Sequence, residues 1–252
     1  MARYDFSAHR LYVDAALAPN AEIPLDRTQA NYLSNVLRLA DGAELLIFNG
    51  RDGEWRAALS ATGRKSWSLK ALAIARPQEP GCDLHYIFAP LKHARLDYMV
   101  QKAVEMGASL LRPVRTQHTQ TARLNGERMR ANVIEAAEQC GILAVPDIAE
   151  LTDLDKLLDC WPRERSLIFC DEDAPVTDPL EALRSATKDD AKPRPLAVLI
   201  GPEGGFDAKE REKLIALPQA IRLSLGPRIL RADTAAVAAL SLAQSVLGDW
   251  RS

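Results

Sequence analysis

The spacing of apolar positions changes near residue 80. Before that point the apolar residues come in short runs: Leu11-Tyr12-Val13, Glu44 to Phe48, Glu54 to Leu59 and Ser66 to Ile74. Asn49-Gly50 and Asp52-Gly53 punctuate them and supply the positive φ that tight turns require. One helix interrupts the series. Asp26 stands as its N-cap, Gln29 completes a capping box, and Leu33, Val36 and Leu37 form its apolar stripe. This part reads as a small β-barrel with one helix. Arg76-Pro77-Gln78-Glu79-Pro80-Gly81 breaks both helix and strand and sets the boundary. Residues 1–76 are then one domain and residues 82–252 a second.

Beyond the boundary, strand and helix alternate. His85 to Ala89, Ser109 to Val114, Ser166 to Cys170, Leu196 to Ile200 and Ile221 to Leu225 are continuous apolar runs, as buried parallel strands are. Leu96, Met99, Val100, Ala103 and Val104 recur at helical spacing, with Gly107 as a C-terminal stop. Arg128 to Cys140 is a helix ended by Gly141, and Asp207 with Glu210 opens another that runs to Ala216. A last helix runs from about Asp233 to Leu247 and stops at Gly248; its Ala232, Ala235, Ala236, Ala239 and Ala243 imply close packing, in the core or across a two-fold interface. Thr187 to Pro195 is a polar loop. The class is α/β with a mainly parallel sheet.

Composition adds limits. Hydrophobic residues are 47% and charged residues 26% of 252, which is globular rather than disordered. The formal net charge of −2 excludes a uniformly basic nucleic-acid binder. Charge is nevertheless polarised: residues 92–130 carry eight Lys/Arg against three Asp/Glu, and residues 147–190 five against thirteen. These are either solvated faces or a basic track with an acidic counterpart. Met1 to Phe6 holds no apolar core of a signal peptide, and the Ala235–Ala243 run, broken by Ser241, falls short of the roughly 18 residues of a membrane span. A cytoplasmic protein without a membrane partner is expected. Cys82, Cys140, Cys160 and Cys170 form no Cys-x-x-Cys pair and read as reduced, buried thiols. His9, His85, His93 and His118 lack ligand spacing and read as loop or surface residues, so no metal is expected.

In a parallel sheet, ligands bind beyond the carboxyl ends of the strands. Two strands here end in unusual loops. Gly201-Pro202-Glu203-Gly204-Gly205-Phe206 follows one, either as a plain glycine turn or as a backbone laid bare for a ligand. Neither Gly-x-x-x-x-Gly-Lys nor Gly-x-Gly-x-x-Gly is present, which sets aside the standard nucleotide loops. Leu225-Gly226-Pro227-Arg228-Ile229-Leu230-Arg231-Ala232-Asp233-Thr234 follows the other. Ile229 and Leu230 there suit a flat ring and Arg228 and Arg231 suit anionic groups, while Asp233 is either an N-cap or a carboxylate with chemistry to do.

These two loops resemble the small-subunit ribosomal RNA methyltransferase E family, of the knotted SPOUT class. Asn31 to Leu39, Gln101 to Gly107 and Glu135 to Cys140 resemble its other motifs in the same order, so the likeness covers nearly the whole chain. The resemblance implies a PUA-like β-barrel followed by an α/β domain with a deep trefoil knot. It implies S-adenosylmethionine as cofactor, a homodimer, and methylation of N3 of one uridine in 16S rRNA on the small ribosomal subunit. Carried over by position, the cofactor pocket falls on Ile200, Gly201, Pro202, Glu203, Gly204 and Gly205, and on Leu225, Gly226, Ile229, Leu230 and Arg231, with Cys170 and Asp171 as a third loop. Asp233 stands where the family usually has Glu, and Cys140-Gly141-Ile142 where it often has Ser-Gly-Arg; an arginine such as Arg123 or Arg128 then has to replace that contact.

Uridine N3 must lose a proton to attack a sulfonium methyl. Arg231 is expected to stabilise the developing anion and Asp233 to accept the proton, unless the two pair with each other and only shape the loop. Arg10, Arg38, Lys92, Lys102, Arg115, Arg123 and Arg228 are the expected phosphate contacts. Two other readings remain: an RNA-binding assembly protein without turnover, or a methyltransferase of the same fold acting on tRNA or another rRNA atom.

Overall fold

The computed structural model describes residues 8–63, 66–92, 94–120, 124–186 and 195–251. Two compact units emerge: residues up to Pro80 together with Ala137–Val145, and Gly81–Ala136 together with Pro146 onward.

In the first unit, β1 (Arg10–Tyr12), β2 (Glu22–Pro24), β3 (Glu44–Phe48), β4 (Glu54–Ala61) and β5 (Trp67–Arg76) form one sheet in the order β1-β3-β4-β5-β2. The outer strands β1 and β2 do not pair, so the sheet is a half-barrel rather than the closed barrel expected. Each has three residues, and Pro24 lacks the N–H that a further ladder needs. Irregular register at Glu54/Trp55 and Arg56/Ala57 bends β4 against β5. Leu11, Val13, Ile47, Ala57, Leu59 and Leu69 fill the concave side.

The capping box at Asp26 and Gln29 is present and opens α1 (Arg27–Asn31). The helix then widens into a π-helical turn over Tyr32–Val36, where Leu37 N donates to Tyr32 O at 2.9 Å. The extra residue per turn rotates the expected stripe: Leu33 stays buried but Val36 is 62% exposed.

Segment 137–145, read above as part of the second domain, packs with the first unit because two arginines reach for it. Glu54 is buried between them, with its side chain 1% exposed. Arg10 Nε donates to Glu54 Oε1 and Arg76 Nε to Glu54 Oε2, each at 2.7 Å. The remaining nitrogens of Arg10 reach Ala137 O (2.5 Å), Glu138 O (2.7 Å) and Ile142 O (3.2 Å), while Arg76 reaches Gly141 O (2.9 Å). Ala137 and Glu138 belong to the last turn of the helix that ends at Gln139, and Gly141 and Ile142 follow it, so the arginines cap the carbonyl end of that helix. Arg10 is therefore a structural cation, not a phosphate contact as expected from sequence; its side chain is 5% exposed.

In the second unit, β6 (Leu84–Phe88), β7 (Leu110–Arg115), β8 (Asp147–Ile148), β9 (Thr152–Asp153), β10 (Ser166–Cys170), β11 (Leu196–Ile200) and β12 (Ala220–Leu223) form a sheet in the order β12-β10-β11-β6-β7-β8, with β9 also on β7. Every pairing is parallel. The helices are α2 (Ala94–Glu105), α3 (Gly126–Gln139), α4 (Leu154–Asp159), α5 (Pro179–Ser185), α6 (Ala208–Ala216) and α7 (Ala232–Val246). One face of the sheet, with Ile87, Leu167, Phe169, Ala197 and Leu199, packs against Leu154 and Leu158 of α4 and Leu214 of α6. Elsewhere in the unit α7 lies against α2, α5 and β11. Of its six alanines, Ala232, Ala235, Ala236, Ala239 and Ala243 are buried within the chain and belong to its core. Gly107, at φ +81°, ends α2 where an added Cβ would lie 2.5 Å from the Gln244 amide nitrogen. That buried amide donates to Met106 O at 2.7 Å and pins α7 to the end of α2.

Helices α4 and α5 and strands β2, β8 and β9 are too short for periodicity to show, and the reading above lacks them. Thr187 to Arg194 lie outside the described residues.

Replacing Glu54 with alanine leaves two guanidiniums without their anion, and a loss of about 3–5 kcal/mol in urea unfolding is expected. The pairing arginines outweigh burial and hold Glu54 below its ordinary value of 4.5. The folded-state value is the depressed one, so this stabilisation is present above pH 4.5 and is lost as pH falls through the folded value. In Glu54→Gln that acid-side loss should be absent, which pH-dependent melting would read.

Candidate functional site

Because the sheet is parallel, the loops after β10, β11 and β12 leave it at the same edge, and the order β12-β10-β11 makes them neighbours. Two of these loops stand out in the sequence and the third enters through the resemblance; the fold brings them together.

The loop after β11 begins as Ile200 leaves the core. Gly201 sits where an added Cβ would lie 3.0 Å from the Phe206 ring, and that ring meets Phe169 edge-on. Gly205 N donates to Pro202 O at 2.9 Å and closes the turn. Gly205 has φ +69°, and open space lies where its side chain would be. Glu203 pairs with Arg95 of α2. The loop ends at Asp207, which caps α6 in a full capping box with Glu210. Glu210 is buried and also accepts from Gln117 N at 2.7 Å, so the turn after β7 is tied to the same corner. From that turn His118 Nδ1 donates to Gly205 O at 3.1 Å, and its ring lies over Gly204. In the neutral ring this bond leaves Nε2 as an acceptor. The sequence held no signal for this contact, since residue 118 and residue 205 are brought together only by the sheet.

The loop after β12 is more open. The strand stops at Leu223, two residues earlier than expected. Gly226 has φ +91° with nothing within 4 Å of a would-be Cβ. Pro227, Arg228 and Arg231 are exposed, Leu225 and Leu230 are half-buried, and Ile229 is 95% exposed. Arg231, not Asp233, is the N-cap residue of α7, and it makes no side-chain capping bond. Asp233 lies inside the first turn and accepts from Thr234 N at 2.9 Å. Among the described residues no hydrogen bond or ion pair joins Arg231 to Asp233.

Beneath them, the loop after β10 is fixed by charge. Asp171 is buried and accepts from Arg222 Nε at 2.7 Å and from Arg211 at 3.2 Å. The two guanidiniums, with the Asp173 N–H, outweigh burial and hold its carboxyl below the usual range. Cys170, just before it, is pushed up to about 12 by burial. Tyr86 of β6 is fully buried, and among the described residues its hydroxyl has no hydrogen-bond partner. Burial, then the nearby Cys170 and Asp233, push this phenol well above its ordinary value.

The basic residues disperse. Arg38 (φ +57°), Lys92 and Arg228 are exposed. Lys102 is held by Glu105 at 2.7 Å and lies over the Tyr98 ring, Arg115 by Asp153 at 2.5 Å, and Arg128 by Asp97 at 2.5 Å. Arg123 and His93 lie outside the described residues. His85 is not a surface or loop residue: it stands on β6, half-buried. Of the four free cysteines, Cys140 and Cys160 are exposed rather than buried. Among the described residues no cluster of metal ligands occurs and no helix is long and apolar enough to cross a membrane.

Residues 77–244 match the RNA methyltransferase domain model, and residues 25–72 match the RNA methyltransferase PUA domain model. The chain is 28% identical over 92% of its length to the ribosomal RNA small subunit methyltransferase E of Rickettsia conorii, covering 93% of that protein. With the enzyme of that name from Synechocystis it shares 27% identity over 95% of its own length and 78% of the relative's. A Legionella pneumophila methyltransferase solved with bound S-adenosylmethionine superposes with a TM-score of 0.76 at 26% identity, covering 94% of this chain and 97% of that one. The Neisseria gonorrhoeae ribosomal RNA small subunit methyltransferase E, also bound to S-adenosylmethionine, has the same fold: TM-score 0.80, 23% identity, 94% and 97% coverage.

At pH 8, iodoacetamide should label Cys140 and Cys160 and leave Cys170 unmodified, because its thiolate is scarce and enclosed. Labelling of Cys170 in the folded protein, read by peptide mass spectrometry, would show that this loop opens.

Proposed function

Because the chain belongs to the RNA methyltransferase family, we propose that it methylates N3 of one uridine in 16S rRNA, on the small ribosomal subunit and as a homodimer. The observation that carries this reading is the pair of glycine loops at one sheet edge, with Arg231 and Asp233 uncommitted to each other at the start of α7. S-adenosylmethionine is the cofactor. The residues present fit it: at Gly205 and Gly226 positive φ and bare space leave backbone groups open to a ligand, and Tyr86 leaves a buried hydroxyl unpaired nearby. When bound, it supplies an electrophilic methyl on sulfur.

This chain's own residues then have three tasks. The segments Ile200–Gly205 and Leu225–Arg231 hold the cofactor through backbone groups, with Leu225 and Leu230 as its apolar wall. Arg231 faces the uridine carbonyl oxygens and stabilises the imide anion as N3 loses its proton. Asp233 accepts that proton as the new N–C bond forms and the carbon–sulfur bond breaks. In-line placement of N3 supplies much of the acceleration, so a strong base is unnecessary. Of the expected phosphate contacts, Arg38, Lys92 and Arg228 are exposed and, among the described residues, free of ion pairs, and these meet RNA phosphates, with the half-barrel as a further RNA surface. The trefoil knot and the two-fold partner belong to the same reading. Exposed Ile229 within the loop supplies apolar surface for that partner or for the substrate.

Methyl-labelled S-adenosylmethionine, offered with small subunits, naked 16S rRNA and bulk tRNA, should yield N3-methyluridine on the subunit. Label in tRNA or in another nucleoside would keep the fold and remove this substrate; cofactor binding without label on any RNA would remove the catalytic reading. Arg231→Ala and Asp233→Ala should each slow transfer by about 10²–10³-fold with cofactor affinity little changed. Near-normal rates would return both residues to a loop-shaping role. Subunit binding should weaken steeply with salt, and a flat response would exclude the phosphate track.

A further inference from the structure

The second unit holds a cavity of about 420 Å3 away from the glycine loops. Its wall includes His85 of β6, Arg112 of β7, Glu150, Lys156 of α4, Trp161 and Arg165. His85 is the second residue of β6 and Arg165 directly precedes β10, so the cavity extends toward the amino ends of these strands, whereas the other site lies at the carboxyl ends of the sheet.

Two of its cations already have partners. Arg165 lies 2.9 Å from the Asp83 carboxylate and donates to Leu196 O at 2.8 Å. Lys156 is 3.4 Å from Asp153 and is otherwise exposed. Arg112 differs. It is half-buried in mid-strand, and with the described residues its guanidinium makes no hydrogen bond or ion pair. Glu150, the one carboxylate in the wall, is exposed and does not reach it. A guanidinium drawn out of water is unfavourable without an anion. The cavity beside it has room for one, and the indole of Trp161 offers an apolar wall for whatever carries it.

We propose that this cavity binds a phosphate group, with the guanidinium of Arg112 as its main partner and Lys156 and Arg165 completing the positive field. A planar guanidinium matches two phosphate oxygens at once. The phosphate comes either as a free anion or as part of an RNA chain, and the size suits a single nucleotide. His85 reports on the site. Burial, then the charges of Arg165 and Arg112, press its imidazole down to about 4 against the pull of Asp83. An anion seated between those arginines cancels their push and raises it.

The test is the titration of the histidine ring protons in the full-length protein by NMR, with His85 assigned through His85→Gln. Ionic strength is held with chloride. One arm adds inorganic phosphate, the other a short single-stranded oligoribonucleotide without terminal phosphates. In either arm the His85 midpoint should rise from about 4 to about 5 or above, with the other histidines unmoved. A response to inorganic phosphate alone assigns a free-anion pocket. A response to the oligonucleotide, with or without the other, assigns an RNA phosphate. The ligand-induced rise should vanish in Arg112→Ala, and the apparent affinity should fall about threefold in Lys156→Ala, a rim change that leaves the fold intact. No rise in either arm, or an undiminished rise in Arg112→Ala, overturns the proposal. The readout is independent of methyl transfer, so it stands or fails apart from the catalytic reading.

Discussion

The parallel pairing of the second sheet is the constraint on which the functional surface depends. Parallel strands point their carboxyl ends one way, and the order β12-β10-β11 sets three consecutive loop exits side by side. Gly201 to Phe206, Cys170 with Asp171, and Leu225 to Arg231 are distant in sequence but share that edge. Each exit is built differently. Capping and ring packing close the first, two arginines on Asp171 hold the second, and the third is left open. The open loop runs straight into α7, so Arg231 and Asp233 are displayed by a helix whose alanines are locked in the core. Rigid support under an exposed loop is what a site needs when it must position two reactants.

The first unit depends on a different interaction. Glu54 is a buried carboxylate whose two oxygens are shared by Arg10 and Arg76, and the arginines spend their remaining donors on carbonyls of 137–142. The cluster is satisfied atom by atom, which is why buried charge is tolerated there. It also explains why the segment Ala137–Val145, far beyond Pro80 in the chain, belongs to this unit. An arginine near the start of the chain looks like a surface cation until its partner is seen.

Much of the architecture was legible. Continuous apolar runs gave β10 and β11 with their observed ends, and the Asp207–Glu210 and Asp26–Gln29 pairs marked helix starts, because strand burial and capping act over a few residues. What failed to show has equally physical causes. Two-residue strands and helices under two turns carry no period. The π-helical turn at Tyr32–Val36 breaks the 3.6-residue spacing on which the Leu33–Val36 stripe rested. The closed barrel became a half-barrel because closure is a property of edges, not of strand count.

The same division holds for the site. The amino-acid sequence alone determined the two glycine loops, the Arg228–Arg231 spacing and the carboxylate at 233, since those depend on residue type and order. It also carried the family resemblance, which is a likeness of ordered motifs. Tertiary structure decided which charges are available. Arg10 is paired with Glu54, Lys102 with Glu105 and Arg128 with Asp97, while among the described residues Arg112 has no anionic partner beside its cavity. It also brought His118 onto Gly205 and buried the Tyr86 hydroxyl near Asp233. Pairing and burial are set by contacts between residues tens of positions apart, and composition and spacing are blind to those contacts.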